Sequence, residues 1–168
     1  MKKENKCVIF DIDGVIADSS YSINKYLLNR EKPNWKDYYK SLDTCILNKW
    51  CLKVINDYIK RGYEIILITS RSGVSREITE KWLGDNKVKY HHLYMRNKGD
   101  SRPSDIVKKE IYMDKVHGKY VVDFLYEDDI NNIEMFECFG ITCIPIACDV
   151  IYSDKKENGK TILDVSGK

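Results

Sequence analysis

Short, almost wholly apolar runs rich in β-branched residues alternate along the chain with longer stretches whose apolar positions recur at helical spacing. Residues 7–11 (CVIFD), 63–69 (YEIILIT), 90–95 (YHHLYM), 120–126 (YVVDFLY) and 141–146 (ITCIPI) have the length and composition of strands buried on both faces, the third being the weakest. Between the first two, 47–60 places Leu47, Trp50, Val54, Ile55, Tyr58 and Ile59 on one helical face and stops at Arg61-Gly62. A helix is expected from Ser75, with that serine as its cap and Ile78, Trp82 and Leu83 on its apolar side. Another is expected over 104–116, opening after Pro103 and carrying Ile106, Val107, Ile111 and Tyr112, and a last one over 130–139. Strands alternating with helices imply βαβ units, hence an α/β, Rossmann-like five-stranded parallel sheet with helices on both faces.

The alternation is interrupted once, after the first strand, by a lysine- and aromatic-rich stretch (DSSYSINKYLLNREKPNWKDYYKSLD). An insertion of about residues 18–46 at that point lies over the carboxyl ends of the strands, where open α/β sheets bind ligands. It fits a small cap and fits equally an ordinary helix and loop packed on the sheet edge. After Cys148 the chain turns charged around Asn158-Gly159, as a terminal hairpin or a frayed end.

The 168 residues suit one domain, 1–168, that can bury a core without disulfide staples. With 28 Lys+Arg against 26 Asp+Glu, the whole-molecule charge does not argue for nucleic-acid binding, which would need a local patch. The apolar stretch near the N-terminus is cut off at Asp11, too short for a signal peptide or a membrane span. Six cysteines without a C-x-x-C pair fit a reduced, cytosolic protein and lack zinc-ligand spacing.

The chemistry concentrates at strand ends. In FDIDGVIADS a buried strand delivers Asp11 to its carboxyl end, Asp13 follows two residues on, and Gly14 permits a sharp turn. Two carboxylates so close repel one another, so a cation or a shared proton is expected between them. A helix cap or surface turn is the bland alternative. A calcium loop is excluded, because the glycine stands too early and no bidentate Glu follows. Thr69-Ser70-Arg71 ends the second strand, offering hydroxyls, backbone N–H groups and a guanidinium to phosphate oxygens. Lys108 lies on the helix before the fourth strand, and Glu127-Asp128-Asp129 ends that strand with the hard oxygens magnesium prefers.

In their order, Asp11-Ile12-Asp13-Gly14, Thr69, Lys108 and Asp128-Asp129 resemble the four motifs of haloacid dehalogenase-type phosphatases. GDSRPSDIVKKEI (99–111) and YEDDINNIEMFECFGITCIPI (126–146) are similar to the 3′-phosphatase domain of bacteriophage polynucleotide kinase-phosphatase, and the likeness runs over 7–149. No G-x-x-x-x-G-K-[ST] phosphate loop, as a kinase partner would need, occurs. The resemblance implies a haloacid dehalogenase fold and a magnesium-dependent phosphomonoesterase working through an aspartyl-phosphate. In it Asp11 is the nucleophile and Asp13 the acid/base, with Thr69 and Lys108 stabilising phosphate charge. Magnesium is held by Asp11, the Asp13 carbonyl and Asp128, with Asp129 a ligand or an orienting group. Ser70, Arg71 and Arg102 bind substrate. Substrates or partners are phosphorylated nucleic-acid ends, or free nucleotides and other small phosphate esters. The phage domain carries an arginine soon after its first motif where this chain reads SSYSINK, which leaves the substrate open. A receiver-type signalling domain fits poorly, since there the lysine comes last, whereas here it precedes the acidic pair.

Overall fold

The computed structural model describes residues 5–28, 31–147, 155–157 and 160–162. Its sheet contains β1 (Lys6–Phe10), β4 (Glu64–Ser72), β5 (His92–Arg96), β6 (Val121–Glu127) and β7 (Cys143–Pro145), all parallel, in the order β5-β4-β1-β6-β7. The expected five-stranded α/β architecture is the observed one. β1 lies in the centre, so its carboxyl end faces the crevice where neighbouring connections diverge.

Alternation along the central strands divides the core. Val8 and Phe10 of β1, with Ile65 and Leu67 of β4, face one cluster, while Cys7, Ile9, Ile66 and Ile68 face the other. The first cluster is closed by α3 (Lys49–Lys60) and α4 (Arg76–Asp85) through Cys51, Ile55, Tyr58, Trp82 and Leu83. The second is closed by α5 (Ser104–Lys115) and α6 (Ile130–Glu137) through Tyr112 and Phe136. Burial on both faces is why these strands read as continuous apolar runs.

Two helix starts differ from expectation. Leu47 belongs to a two-residue strand, β3 (Ile46–Leu47), paired antiparallel with β2 (Ala17–Asp18), and α3 begins after Asn48. The Asn48 side chain donates to the Val15 carbonyl at 2.8 Å and its backbone N–H to Ile16 at 2.9 Å, which fixes the residue outside the helix. Ser75 stands before α4 but does not cap it: its hydroxyl donates to the Ser72 carbonyl at 2.8 Å, because a 3₁₀ turn over Gly73–Ser75 precedes the helix.

The β2–β3 ribbon forms the neck of the insertion, which holds α1 (Ser20–Ile23), a π-helical turn (Asn24–Leu28) and α2 (Trp35–Ser41). Its Ile23, Tyr38, Leu42 and Cys45 join the first core cluster, and the Trp82 indole N–H donates to the Cys45 carbonyl at 2.9 Å. The insertion is therefore anchored on α4. Near the C-terminus, β8 (Lys155–Glu157) and β9 (Lys160–Ile162) pair antiparallel as a hairpin, while Asn158-Gly159 and Cys148 lie outside the described residues. The other five cysteines are free. Among the described residues, no helix is long and apolar enough to cross a membrane.

Candidate active site

β1 ends by handing Asp11 to the crevice, its backbone N–H still held by the Tyr126 carbonyl at 3.0 Å. The chain then curls tightly: the N–H groups of Ile16 and Ala17 both reach the Ile12 carbonyl, at 2.9 and 2.8 Å. Gly14 takes φ +78°, and a Cβ there would collide with the carboxylate of Asp128. Only glycine combines that backbone with so close an approach.

Two charge clusters flank this turn. Around Asp11, the Lys108 ammonium stands 3.1 Å from Oδ1 of Asp11 and 2.7 Å from Oε2 of Glu127, with all three side chains nearly sealed from solvent. The other Glu127 oxygen accepts the backbone N–H groups of Asp128 and Asp129, at 3.1 and 3.2 Å. Burial opposes the charge on Lys108, but the carboxylates of Asp11 and Glu127 prevail and hold its pKa above the ordinary value. Burial pushes the Asp11 carboxyl well above its ordinary value, Lys108 opposes this, and Glu127, Asp128 and Asp13 add to it.

Around Asp13, Arg71 makes a two-pronged ion pair, Nη2 to Oδ1 at 2.7 Å and Nε to Oδ2 at 2.9 Å. A register shift between Thr69 and Ser72, where β4 leaves regular pairing with β5, re-aims Arg71. The guanidinium is steadied by the Thr79 hydroxyl at 3.3 Å and lies 3.9 Å from the Cys45 sulfur. Burial opposes ionisation of Asp13, but the Arg71 charge and its hydrogen bonds prevail and depress its pKa. The Cys45 thiol is pushed up to about 11, chiefly by burial, so it is a neutral neighbour.

Asp11, Asp13, Thr69, Arg71, Lys108 and Asp128 are thus gathered at the carboxyl ends of β1, β4 and β6. The Thr69 oxygen accepts the Arg71 backbone N–H at 3.1 Å, leaving its O–H free to donate. The Ser70 carbonyl accepts from Arg96 at 2.9 Å. Asp129 and Arg102 are used differently. The Asp129 carboxylate caps α6, accepting the Asn131 backbone N–H at 2.8 Å. The exposed Arg102 guanidinium is paired with Asp100 at 2.6 Å and Glu110 at 2.8 Å. Glu127 completes the buried acidic group with Asp11 and Asp128. It was legible only as one carboxylate in an acidic run, and its contact with Lys108, nineteen residues away, has no local signature.

Oxygens of Asp11, Glu127 and Asp128 lie within 4.8 Å of one another. The buried Oδ1 of Asp11 has no hydrogen bond, and one ammonium is shared by Asp11 and Glu127 with the Asp128 carboxylate in the same group. An all-carboxylate donor set short of positive charge fits a hard divalent cation. Both Glu127 oxygens serve the Lys108 ammonium and the two backbone N–H groups, and Asp11 and Asp128 are the other carboxylates of the group.

Comparison with known proteins supplies the context. The polynucleotide kinase PNKP phosphatase domain matches residues 5–149. A chain of the Pnkp1/Rnl/Hen1 complex is 30% identical and superposes with a TM-score of 0.71 over 87% of this chain and 47% of its own. A chain of the Pnkp1/Rnl/Hen1 RNA repair complex gives 29% and 0.72, over 87% and 43%. This chain therefore spans about half the length of these solved chains. The class C acid phosphatase from Bacillus anthracis, with tungstate bound, is similar in fold alone, at 11% identity and a TM-score of 0.60 over 86% of this chain and 68% of its own.

Proposed function

The chain belongs to the family of polynucleotide kinase PNKP phosphatase domains, within the haloacid dehalogenase-type phosphatases, and on that premise we propose that it removes 3′-phosphates from nucleic-acid ends through an aspartyl-phosphate on Asp11. The observation that carries the reading is the division of labour between the two aspartates, one against Lys108 and the other clamped by Arg71. On this reading an Asp11 oxygen attacks phosphorus in line, the bond to the leaving oxygen breaks, and Asp13 gives that oxygen its proton. Water then attacks the phosphorus, passes a proton to Asp13, and the bond to Asp11 breaks to release phosphate. Arg71 keeps Asp13 ionised in the substrate-free protein. The like charge of an incoming phosphate opposes that depression, so Asp13 takes its proton together with the substrate. Lys108 and the Thr69 hydroxyl stabilise the equatorial oxygens.

Magnesium is the ion we assign to the acidic group, held by Asp11, Asp128 and the Asp13 carbonyl. When bound it supplies charge to the phosphoryl oxygens and relieves the repulsion among the carboxylates. Residues about 18–46 act as a cap over the Asp13 side of the site.

The RNA repair complex of a relative supports a nucleic-acid end as substrate. A free nucleotide or other small phosphate ester is a second reading, favoured by Arg102, whose charge is spent on Asp100 and Glu110. Catalytic efficiency on a 3′-phosphorylated oligonucleotide and a 3′-mononucleotide, measured across a salt series, separates the two. Backbone contacts release counterions and make the oligonucleotide advantage fall as salt rises. Equal efficiencies without salt dependence favour the small-molecule reading.

A further inference from the structure

We infer that Tyr38 reaches from the insertion to contact the leaving group, and that the aromatic face it shares with Trp35 and Tyr39 selects leaving groups carrying a planar ring, as a nucleoside does. The inference rests on the reading of Asp13 as the acid/base. Tyr38 is the buried residue of α2, 7% exposed, and belongs to the core cluster that underlies the insertion. Its ring meets Trp35 edge-on at 5.9 Å and 87°, and Tyr39 at 5.8 Å, while Trp35 and Tyr39 are 6.0 Å apart. α2 packs on the Gly73–Ser75 turn, immediately after the strand end that carries Arg71. Burial, and after it the charge of Asp13, hold the phenol's pKa well above its ordinary value against the opposing charge of Arg71. The hydroxyl is thus a donor on the Asp13 side.

That hydroxyl is bonded by no described residue, yet it is not among the sealed, unpartnered polar atoms. A ring buried in the insertion, on the helix that packs against the turn after Arg71, whose O–H has no hydrogen bond among the described residues, lacks the partner that a buried tyrosine ordinarily finds. In-line attack by Asp11 puts the leaving group on the far side of phosphorus, next to whichever group protonates it. On the proposed reading that group is Asp13, so the leaving group's own oxygens arrive within reach of Tyr38. Trp35, 51% exposed, extends the aromatic surface outward from there. A nucleobase can stack on such a face, whereas a small aliphatic alcohol has nothing to place on it.

The test uses the full chain, thymidine 3′-monophosphate and glycerol 2-phosphate. Tyr38→Phe should leave the melting temperature unchanged, because the lost hydroxyl has no partner within the described chain, yet lower kcat/KM on the nucleotide about tenfold, the worth of one hydrogen bond to a substrate. Trp35→Ala should raise KM for the nucleotide about tenfold, with little change for glycerol phosphate. Full nucleotide efficiency in Tyr38→Phe, or an equal loss on both substrates in Trp35→Ala, overturns the inference. A parent that turns over both esters equally well overturns the aromatic selection while leaving the phosphatase reading intact. Turnover in Asp11→Asn equal to the parent's overturns the Asp11 reading and, with it, this one.

Discussion

Removing the Glu127 side chain is the most informative single perturbation of the site. One oxygen lies 2.7 Å from the Lys108 ammonium, and the other accepts the N–H groups of Asp128 and Asp129. Both partners of the ion pair are about fully buried, with side-chain exposures of 1% and 2%. Breaking such a pair by deleting one partner costs about 3–5 kcal/mol, because a buried charge loses its compensation. Asp11, 3.1 Å from the same ammonium, remains, so Glu127→Ala belongs at the lower end, about 3 kcal/mol. For a domain of this size that lowers the melting temperature by roughly 6–12 °C. Glu127→Gln keeps the shape but has one acceptor where two are needed: it can serve the two amides or the ammonium, not both. Its cost should be about half as large. Activity should fall in both variants, since Lys108, released by Glu127, leans on Asp11 alone and ties up the nucleophile. Thermal unfolding followed by circular dichroism, alongside steady-state hydrolysis of a phosphate ester, reads both effects. A Glu127→Ala protein melting within about 2 °C of the parent would refute the reasoning.

Asp11→Asn should abolish turnover while leaving the fold intact, because an amide cannot form the acyl phosphate; steady-state hydrolysis by a clean preparation is the contrary result. Chelation should remove activity, and Asp128→Ala should weaken the apparent magnesium affinity; full activity after exhaustive chelation would count decisively against the metal. Gly14→Ala should cost activity and stability together, since its Cβ meets the Asp128 carboxylate and its φ of +78° is strained for any other residue; unaltered magnesium dependence in this variant would contradict the placement. The folded pKa of Asp13 is depressed, so its pairing with Arg71 stabilises the protein fully above the unfolded value of about 3.9 and is lost as pH falls through the folded value. The stability gap between the parent and Asp13→Asn should therefore be flat from neutral pH to about 5 and close below about 4, and a gap that widens on acidification would falsify that assignment.

The sheet could be read from the sequence because parallel strands buried on both faces leave a local mark: CVIFD, YEIILIT and YVVDFLY are apolar at every or nearly every position. Strand ends were equally legible, since a chemistry-bearing residue just after such a run must emerge at one edge of the sheet. That is why the sequence could place Asp11, Thr69 and Asp128 at the strand ends where the structure has them. Arg71 was found by position, but its pairing with Asp13, fifty-eight residues away, is a long-range fact. The same holds for Tyr38, one aromatic among many in the insertion until the fold brings α2 onto the turn after β4. Helix starts failed where a side chain had a better offer: Asn48 is held by the Val15 carbonyl, and the Ser75 hydroxyl by Ser72. Arg102 had the right charge near the right loop, yet Asp100 two residues away and Glu110 on α5 compete for it at close range.

Asp11 and Asp13 are two residues apart, yet their surroundings drive them in opposite directions. Asp11 is buried among carboxylates with one shared ammonium, and its pKa rises. Asp13 has a guanidinium to itself, and its pKa falls. Left so, each aspartate is in the wrong state for the proposed reaction: the nucleophile tends toward the neutral acid and the proton donor toward the anion. Each displacement is reversed by one missing charge. A divalent cation beside Asp11 and Asp128 favours the ionised nucleophile. A phosphate between the two clusters draws on the Arg71 charge and repels the Asp13 carboxylate, favouring its protonated form. On the proposed reading, metal and phosphate together bring the two aspartates to the states that the reaction needs. Two carboxylates with environments set apart in this way are the arrangement from which acid and nucleophile roles follow.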